Sequence, residues 1–167
     1  MAKSLRRVWG VMVVAAACAM IAVAQDASEY SLSLPTGWER AAFTDGAKID
    51  RVEYVFGDRK NGLLKIKRVR LEPGESLEAV VTRDTDGSQR FLPSYVAGKT
   101  ERFTGGSHVG YLVQFDFSRG GAAMMGRNYY LAGRDSSVWI LQFTGERTSL
   151  AQLRNETDQI GRSFREK

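Results

Sequence analysis

The sequence predicts an α+β fold in which amphipathic helices flank an antiparallel sheet. Several segments alternate apolar and polar residues with a period of two, and short polar or glycine-containing breaks separate them, which is typical of antiparallel strands. Other segments space their apolar residues three and four apart, as helices with one buried face do. The 167 residues show no internal repeat and no linker long enough to separate domains, so we expect one domain.

Residues 1–24 have the three parts of a secretory signal peptide. A positive start, MAKSLRR, precedes an uncharged apolar stretch, and Ala22-Val23-Ala24 then fits the small-residue pattern of a cleavage site. We therefore expect cleavage after Ala24 and a single mature domain over 25–167, located in the periplasm or secreted. Two alternatives stay open, which are an uncleaved N-terminal membrane anchor and lipid attachment at Cys18.

The signal peptide carries much of the positive charge of the chain. The sequence has 24 basic and 19 acidic residues, a formal net charge of +5, and three of the basic residues lie in the signal. The mature balance is 21 to 19, or +2, which argues against nucleic-acid binding. The single cysteine is also in the signal, so the domain is expected to hold together by its core. No membrane-spanning segment is expected after cleavage.

The first elements of the mature chain are predicted to be strands. Tyr30–Leu34 alternates apolar residues with serines, and Pro35-Thr36-Gly37 ends this strand in a turn. Trp38 follows where a large ring can close the edge of a core. Arg51–Phe56 and Leu63–Leu71 are joined by a polar turn and form a predicted hairpin.

A helix is predicted after this hairpin. Ser76 can cap it, and an apolar stripe begins at Leu77. Asp84-Thr85-Asp86-Gly87 has the residue types that open a calcium loop, but its glycine and its twelfth position do not fit that loop. We therefore interpret this stretch as the helix exit and a turn, with Lys99–Thr104 as the next short strand.

The C-terminal part is predicted as a three-stranded antiparallel meander followed by a helix. The predicted strands are Tyr111–Phe117, Met124–Leu131 and Val138–Thr144. The helix is expected to start at Thr148 or Ser149, with Gln152 placed for a capping box. Its apolar stripe, which ends at Phe164, predicts that the helix lies across the sheet.

The best candidate for a binding surface is a basic run on the predicted hairpin, Lys65, Lys67, Arg68 and Arg70. Strict alternation places the two lysines on one face of the strand and the two arginines on the other, so we expect a bulge or an edge position. In one interpretation the charges protect a sheet edge from pairing. In the other they bind an anionic lipid, a glycan or an acidic partner.

No catalytic residue, metal site or cofactor is predicted. His108 is the only histidine, and it cannot easily share a proton with Ser107 because neighbouring strand residues point to opposite faces. One histidine and no mature cysteine do not suffice for a transition-metal site. Paired carboxylates stay open because such pairs meet only in the fold. Asp116 is interpreted as a solvent-facing residue.

Core and turn residues along the mature chain carry a resemblance to a known family. They are Leu34-Pro35-Thr36-Gly37-Trp38, Gly110-Tyr111, Tyr129-Tyr130, the strand Val138–Phe143, and Ile160 with Ser163-Phe164. In this order the elements resemble the PsbP-like family, which includes the extrinsic lumenal protein of photosystem II and exported bacterial relatives. The resemblance implies an α/β/α sandwich, a packing role for Trp38, and a function in binding or assembly at a membrane complex. No position matches the histidine-rich metal sites of plant members.

These observations predict an exported, non-catalytic binding or accessory protein that docks on an envelope protein or a membrane-associated complex. A carrier of a small apolar or amphipathic ligand and a carboxylate-based hydrolase are the alternatives. A carrier requires a lined cavity, and a hydrolase requires two carboxylates about 5–9 Å apart. An accessory module predicts an exposed apolar patch of several hundred Å².

Overall fold

The structure, a computed structural model, describes residues 23–24, 29–44 and 50–167. Most of the predicted signal peptide lies outside the described residues, and its cleavage stays a prediction. Ten strands and three helices are formed by the described chain. In chain order they are β1 (Val23–Ala24), β2 (Tyr30–Ser33), β3 (Trp38–Thr44), β4 (Asp50–Phe56), β5 (Gly62–Arg70), α1 (Leu77–Phe91), β6 (Val96–Gly105), β7 (His108–Arg119), β8 (Ala122–Ala132), β9 (Ser137–Glu146), α2 (Arg147–Gln152), α3 (Arg154–Ser163) and β10 (Arg165–Glu166).

Seven of these strands form one antiparallel sheet in the order β3-β4-β5-β9-β8-β7-β6. Helix α1 covers one face of this sheet, and α2 and α3 cover the other together with a small sheet of β1, β2 and β10. Adjacent residues of β8 therefore enter two different cores, with Tyr129 on the α3 face and Tyr130 on the α1 face. The predicted α+β fold with helices on both faces of an antiparallel sheet is confirmed.

Trp38 packs as a structural residue at the start of β3. Its backbone N–H donates to the carbonyl of Pro35 at 3.2 Å, and Gly37 turns the chain with φ of +91°. The indole ring is 5% exposed and contacts the rings of Phe56 and Phe143. Its Nε1–H donates to Glu156 of α3 at 2.9 Å. The packing role expected for Trp38 is confirmed, although the sequence did not reveal that a strand begins there.

Strand β5 is an interior strand over its first residues and an edge strand over the rest. It pairs with β4 only through Leu63–Lys65, whereas its pairing with β9 runs from Leu63 to Arg70. Beyond Lys65 the side of β5 that faces β4 has no ladder partner among the described residues. The edge position expected for the basic run therefore holds for the second half of the strand.

Helix α1 begins as predicted and ends later than predicted. The Ser76 hydroxyl accepts from the Ala79 N–H at 3.2 Å, which confirms the cap. The helix then continues through Asp84-Thr85-Asp86-Gly87 to Phe91, so the interpretation of that stretch as an exit was wrong. Its weak helix-forming residues are held by tertiary contacts, because Asp84 accepts hydrogen bonds from β5 and β8.

The C-terminal meander is confirmed as β7, β8 and β9, and β6 precedes it with a register shift between Ala97 and Thr100. The terminal helix is divided into α2 and α3 at Leu153. Ser149 lies inside α2 and caps nothing, so the predicted capping box was wrong. The predicted stripe is nevertheless buried, and it consists of Leu150, Leu153, Thr157, Ile160 and Phe164. Among the described helices none is both long and apolar enough to cross a membrane.

Candidate ligand-binding groove

An open groove lies between the C-terminal half of α1 and the sheet, and we call it the helix–sheet groove. Its volume is about 500 Å³, within the range of pockets that bind small molecules. Polar and apolar residues both line it. They are Leu63, Lys65, Arg83, Asp84, Gly87, Ser88, Phe91, Leu92, Phe115, Phe117, Arg119, Asn128, Gln142 and Thr144.

The groove forms because the face of α1 toward the sheet changes character halfway along the helix. In the first half this face is apolar, and Val80 and Val81 are buried in the core on that side of the sheet. In the second half this face carries the polar or small residues Asp84, Gly87 and Ser88, followed by the exposed Phe91, so it does not pack down on the strands. These four residues are spaced as one helical stripe.

The strands below α1 change in the same way. Two rows of residues cross β5, β9 and β8 in register under the groove. One row is Lys65, Gln142 and Asn128, and the next is Leu63, Thr144 and Gly126. A Cβ atom at Gly126 would lie 2.1 Å from the ring of Phe115, so only glycine lets this ring lie against β8. The groove thus has a polar floor beside an aromatic wall.

A hydrogen-bond chain leads from β5 to the floor of the groove. Lys67 contacts one carboxylate oxygen of Asp84 at 3.1 Å, and the Tyr130 hydroxyl donates to the other at 2.5 Å. The Asn128 side-chain N–H donates to the Tyr130 oxygen at 3.3 Å. Burial, followed by the Asp84 charge, raises the pKa of Tyr130 above its ordinary value, so this hydroxyl keeps its proton.

This hydrogen-bond chain ends at the carbonyl oxygen of Asn128, for which no described residue supplies a donor. Asn128 is 3% exposed, and its Oδ1 is buried without a hydrogen-bond partner among the described residues. Turning the amide over would point Oδ1 at the Tyr130 oxygen, whose only proton already goes to Asp84. The amide orientation is therefore fixed by its neighbours, and Asn128, which lines the groove, keeps a buried carbonyl oxygen without a donor among the described residues.

Solved structures resemble this chain over most of its length. Cyanobacterial PsbP from Synechocystis sp. PCC 6803 superposes with a TM-score of 0.64 and 12% identity, covering 93% of this chain and 98% of its own. LpqN of Mycobacterium tuberculosis, involved in cell envelope biogenesis, has a TM-score of 0.59 and 15% identity over 81% of each chain. The fold is PsbP-like. PA94 of Pseudomonas aeruginosa, a protein of unknown function, has a TM-score of 0.56 and 15% identity, covering 86% of this chain and 94% of its own. No protein-family model and no curated protein matches the sequence.

In this PsbP-like fold the basic run does not form one patch. Lys65 pairs with Glu53 and Lys67 with Asp84, both at 3.1 Å, on the α1 side of the sheet. Arg68 lies on the other side over the ring of Trp139 and pairs with two further carboxylates. Arg70 makes no ion pair with a described residue, and it lines a small cavity beside Arg68. Binding of an anionic partner by these residues stays a prediction.

His108 and Asp116 have structural surroundings in the described chain. The His108 ring is buried against Phe164, and its Nδ1 lies 2.8 Å from the Ala132 carbonyl oxygen. Asp116 is half-buried and pairs with Arg147 at 3.3 Å, so it is less solvent-facing than expected. No group of three potential metal ligands comes together among the described residues.

A second cavity of about 510 Å³ lies on the α3 face, between α3 and the strands β6 and β7. Buried Arg127 lines it and donates hydrogen bonds to four residues of the domain. Its ion pair with Asp158 at 2.7 Å ties α3 to β8. The polar groups of this network serve one another, whereas Asp116 Oδ1, on a residue that also lines the cavity, is buried without a hydrogen-bond partner among the described residues.

Neither the periodicity of the sequence nor its motifs predict the residues that shape the groove. Two local signals nevertheless point to them. Gly87 lies within a helical pattern, where glycine destabilises a helix by about 1 kcal/mol relative to alanine. Asn128 is an amide in a strand whose neighbours on β8 are buried and largely apolar. Both residues face the groove, but only the packing of α1 on the sheet brings them together.

Proposed function

We propose that this protein is an exported, non-catalytic binding protein that docks on an envelope protein or a membrane-associated complex. The observation that carries the proposal is Phe91 at the rim of the helix–sheet groove, a large aromatic side chain that is 83% exposed. Aromatic residues, including phenylalanine, are enriched at the centres of protein–protein interfaces. Export is supported by the composition of residues 1–24.

The groove supplies recognition and carries no marks of a reaction centre. Among the described residues that line the groove, the carboxylate is that of Asp84, and it is hydrogen-bonded to Lys67 and Tyr130. Neither a histidine nor a cysteine is among these lining residues. Catalysis by a nucleophile requires a base within hydrogen-bond reach of it. A binding role uses what is present, which is an aromatic rim, an apolar wall and a polar floor.

Site-specific photo-cross-linking in intact cells tests the docking proposal. A photoreactive phenylalanine analogue replaces Phe91. In the control it replaces Val109, which is also exposed but lies at the start of β7, next to the turn between β6 and β7. We expect one discrete adduct with an envelope protein from position 91 and none from position 109. Identical adducts from both positions, or none from either, would contradict docking at the groove rim.

A second function, transport or storage of a small amphipathic molecule, is favoured by the unpaired carbonyl of Asn128. A buried acceptor without a donor destabilises the free protein, and a bound ligand can remove that cost. Native mass spectrometry of gently purified protein is expected to show a bound small molecule. A spectrum of the free protein alone, from cells grown under several conditions, would count against the carrier function.

A further inference from the structure

We propose that the helix–sheet groove binds a small aromatic carboxylic acid that donates an O–H hydrogen bond to Asn128 at its buried end and places its carboxylate near Arg119 at the open end. The proposal rests on the carrier function given above and specifies the chemistry of its ligand. It does not depend on docking at Phe91.

The buried end of the groove selects for a hydrogen-bond donor. Because Asp84, Tyr130 and the Asn128 amide N–H form a chain with a fixed direction, Asn128 Oδ1 can only accept. A ligand group that lacks an O–H or N–H leaves this carbonyl unpaired in the complex. Sites with such a buried acceptor discriminate strongly against analogues that cannot donate.

The middle of the groove selects for a flat apolar body. Phe115 lies against Gly126, and Phe117 follows it on the same face of β7 with a ring-centroid distance of 5.9 Å. On the helix side the groove is lined by Phe91, the last residue of α1, and by Leu92, which follows it. Aromatic rings add stacking and edge contacts to the burial of area, so this wall fits an aromatic body better than a sugar or a peptide backbone.

The open end of the groove carries a positively charged side chain, that of Arg119. Arg119 is exposed, its guanidinium lies 5.5 Å from the centre of the Phe117 ring, and it makes no ion pair with a described carboxylate. Asn128 pairs with Val113, so Arg119 lies six residues further along β7, about 20 Å at the rise of a strand. The guanidinium folds back over Phe117, which is only four residues beyond Val113, or about 13 Å at the rise of a strand. The two polar ends are therefore separated by roughly the length of a two-ring molecule.

Gly87 leaves the space that this ligand needs. An added Cβ at Gly87 would meet no atom within 4 Å, although the residue lies in the interior of α1 and lines the groove. Alanine or leucine here would improve the helix, since glycine is the weakest ordinary helix former. The position therefore offers a matched pair of variants, because Gly87→Ala keeps most of the volume and Gly87→Leu fills it.

The probe is biphenyl carboxylic acid with a hydroxyl group at the end opposite the carboxylate, compared with its methoxy analogue. Titrations of the mature protein, followed by calorimetry and by NMR shifts of groove residues, measure both affinities. We expect the hydroxyl acid to bind at least about tenfold more tightly, because the methoxy group cannot donate to Asn128. In Asn128→Leu that preference is expected to disappear.

The remaining variants locate the probe. Gly87→Leu is expected to weaken binding more than tenfold while Gly87→Ala binds as the natural protein does, and both raise the melting temperature. Arg119→Gln should weaken the acid about two- to fivefold and leave the corresponding amide unaffected.

Absent binding at about one millimolar, equal affinity for the hydroxyl and methoxy acids, or unchanged binding by Gly87→Leu would each overturn the proposal. If native mass spectrometry still shows a bound molecule in that case, the ligand class is wrong and the carrier function stands. If it shows none, both are wrong.

Discussion

The buried pair of Arg127 and Asp158 yields a sharp prediction, because its two partners differ in exposure. The Arg127 side chain is 2% exposed, whereas 31% of the Asp158 side chain is accessible to water. Arg127 also donates to Gln114, Tyr129 and Thr157 at 2.8–3.1 Å. Removal of one partner therefore has very different consequences depending on which charge is left behind.

Asp158→Ala leaves a buried guanidinium with neutral acceptors only, and we expect the free energy of unfolding to fall by about 3–5 kcal/mol. Arg127→Met removes the buried charge, and the remaining carboxylate keeps the Tyr129 hydroxyl as donor and can be hydrated. For this variant we expect a loss of about 1–2 kcal/mol, from hydrogen bonds that apolar packing partly offsets. The double variant should be more stable than Asp158→Ala alone.

Urea unfolding at pH 7, followed by tryptophan fluorescence and circular dichroism, measures the three free energies. Arg147→Ala serves as control, because Arg147 is 61% exposed in its pair with Asp116 and should contribute at most about 1 kcal/mol. If Arg127→Met costs as much as Asp158→Ala, or if the two losses simply add in the double variant, the explanation from the buried charge is wrong.

Two further predictions concern β10 and the first turn. The Glu166 side chain is 4% exposed and accepts from the Arg134 backbone N–H at 2.7 Å. Burial raises the pKa of Glu166, but this hydrogen bond and the Arg68 charge outweigh burial, so the pKa lies below its ordinary value. Its contribution to stability is therefore present above about pH 4.5 and lost as the pH falls through the lowered pKa. Glu166→Gln should be less stable than the natural protein at pH 7 and equal to it near pH 2, and a constant difference across a pH series of urea midpoints would contradict this. Trp38→Ala should lower the free energy of unfolding by about 3–5 kcal/mol, while Phe91→Ala should change it by less than about 0.5 kcal/mol; similar losses in both would contradict the assignment of Trp38 to the core.

Much of the fold could be predicted because its signals are local. The alternation in the meander, the cap at Ser76 and the stripe of the terminal helix all report which side of an element is buried, and each is visible within a few residues. The same signals misled at Ser149, where a plausible capping pair lies inside a helix that starts earlier. They also misled at 84–87, where the residues favour a turn in isolation.

The sequence by itself determined the alternating strands, the turn before Trp38 and the sides of the helices that face the core, since these depend on backbone geometry and on residue polarity within one segment. Only the tertiary structure decided that α1 extends over a polar region of the sheet and that β5 is half edge and half interior. It also decided that Asn128, at the end of a hydrogen-bond chain, lines the same groove as Gly87. These features depend on partners from distant segments, because the cost of an unpaired buried group and the space beside a glycine are set by what packs against them.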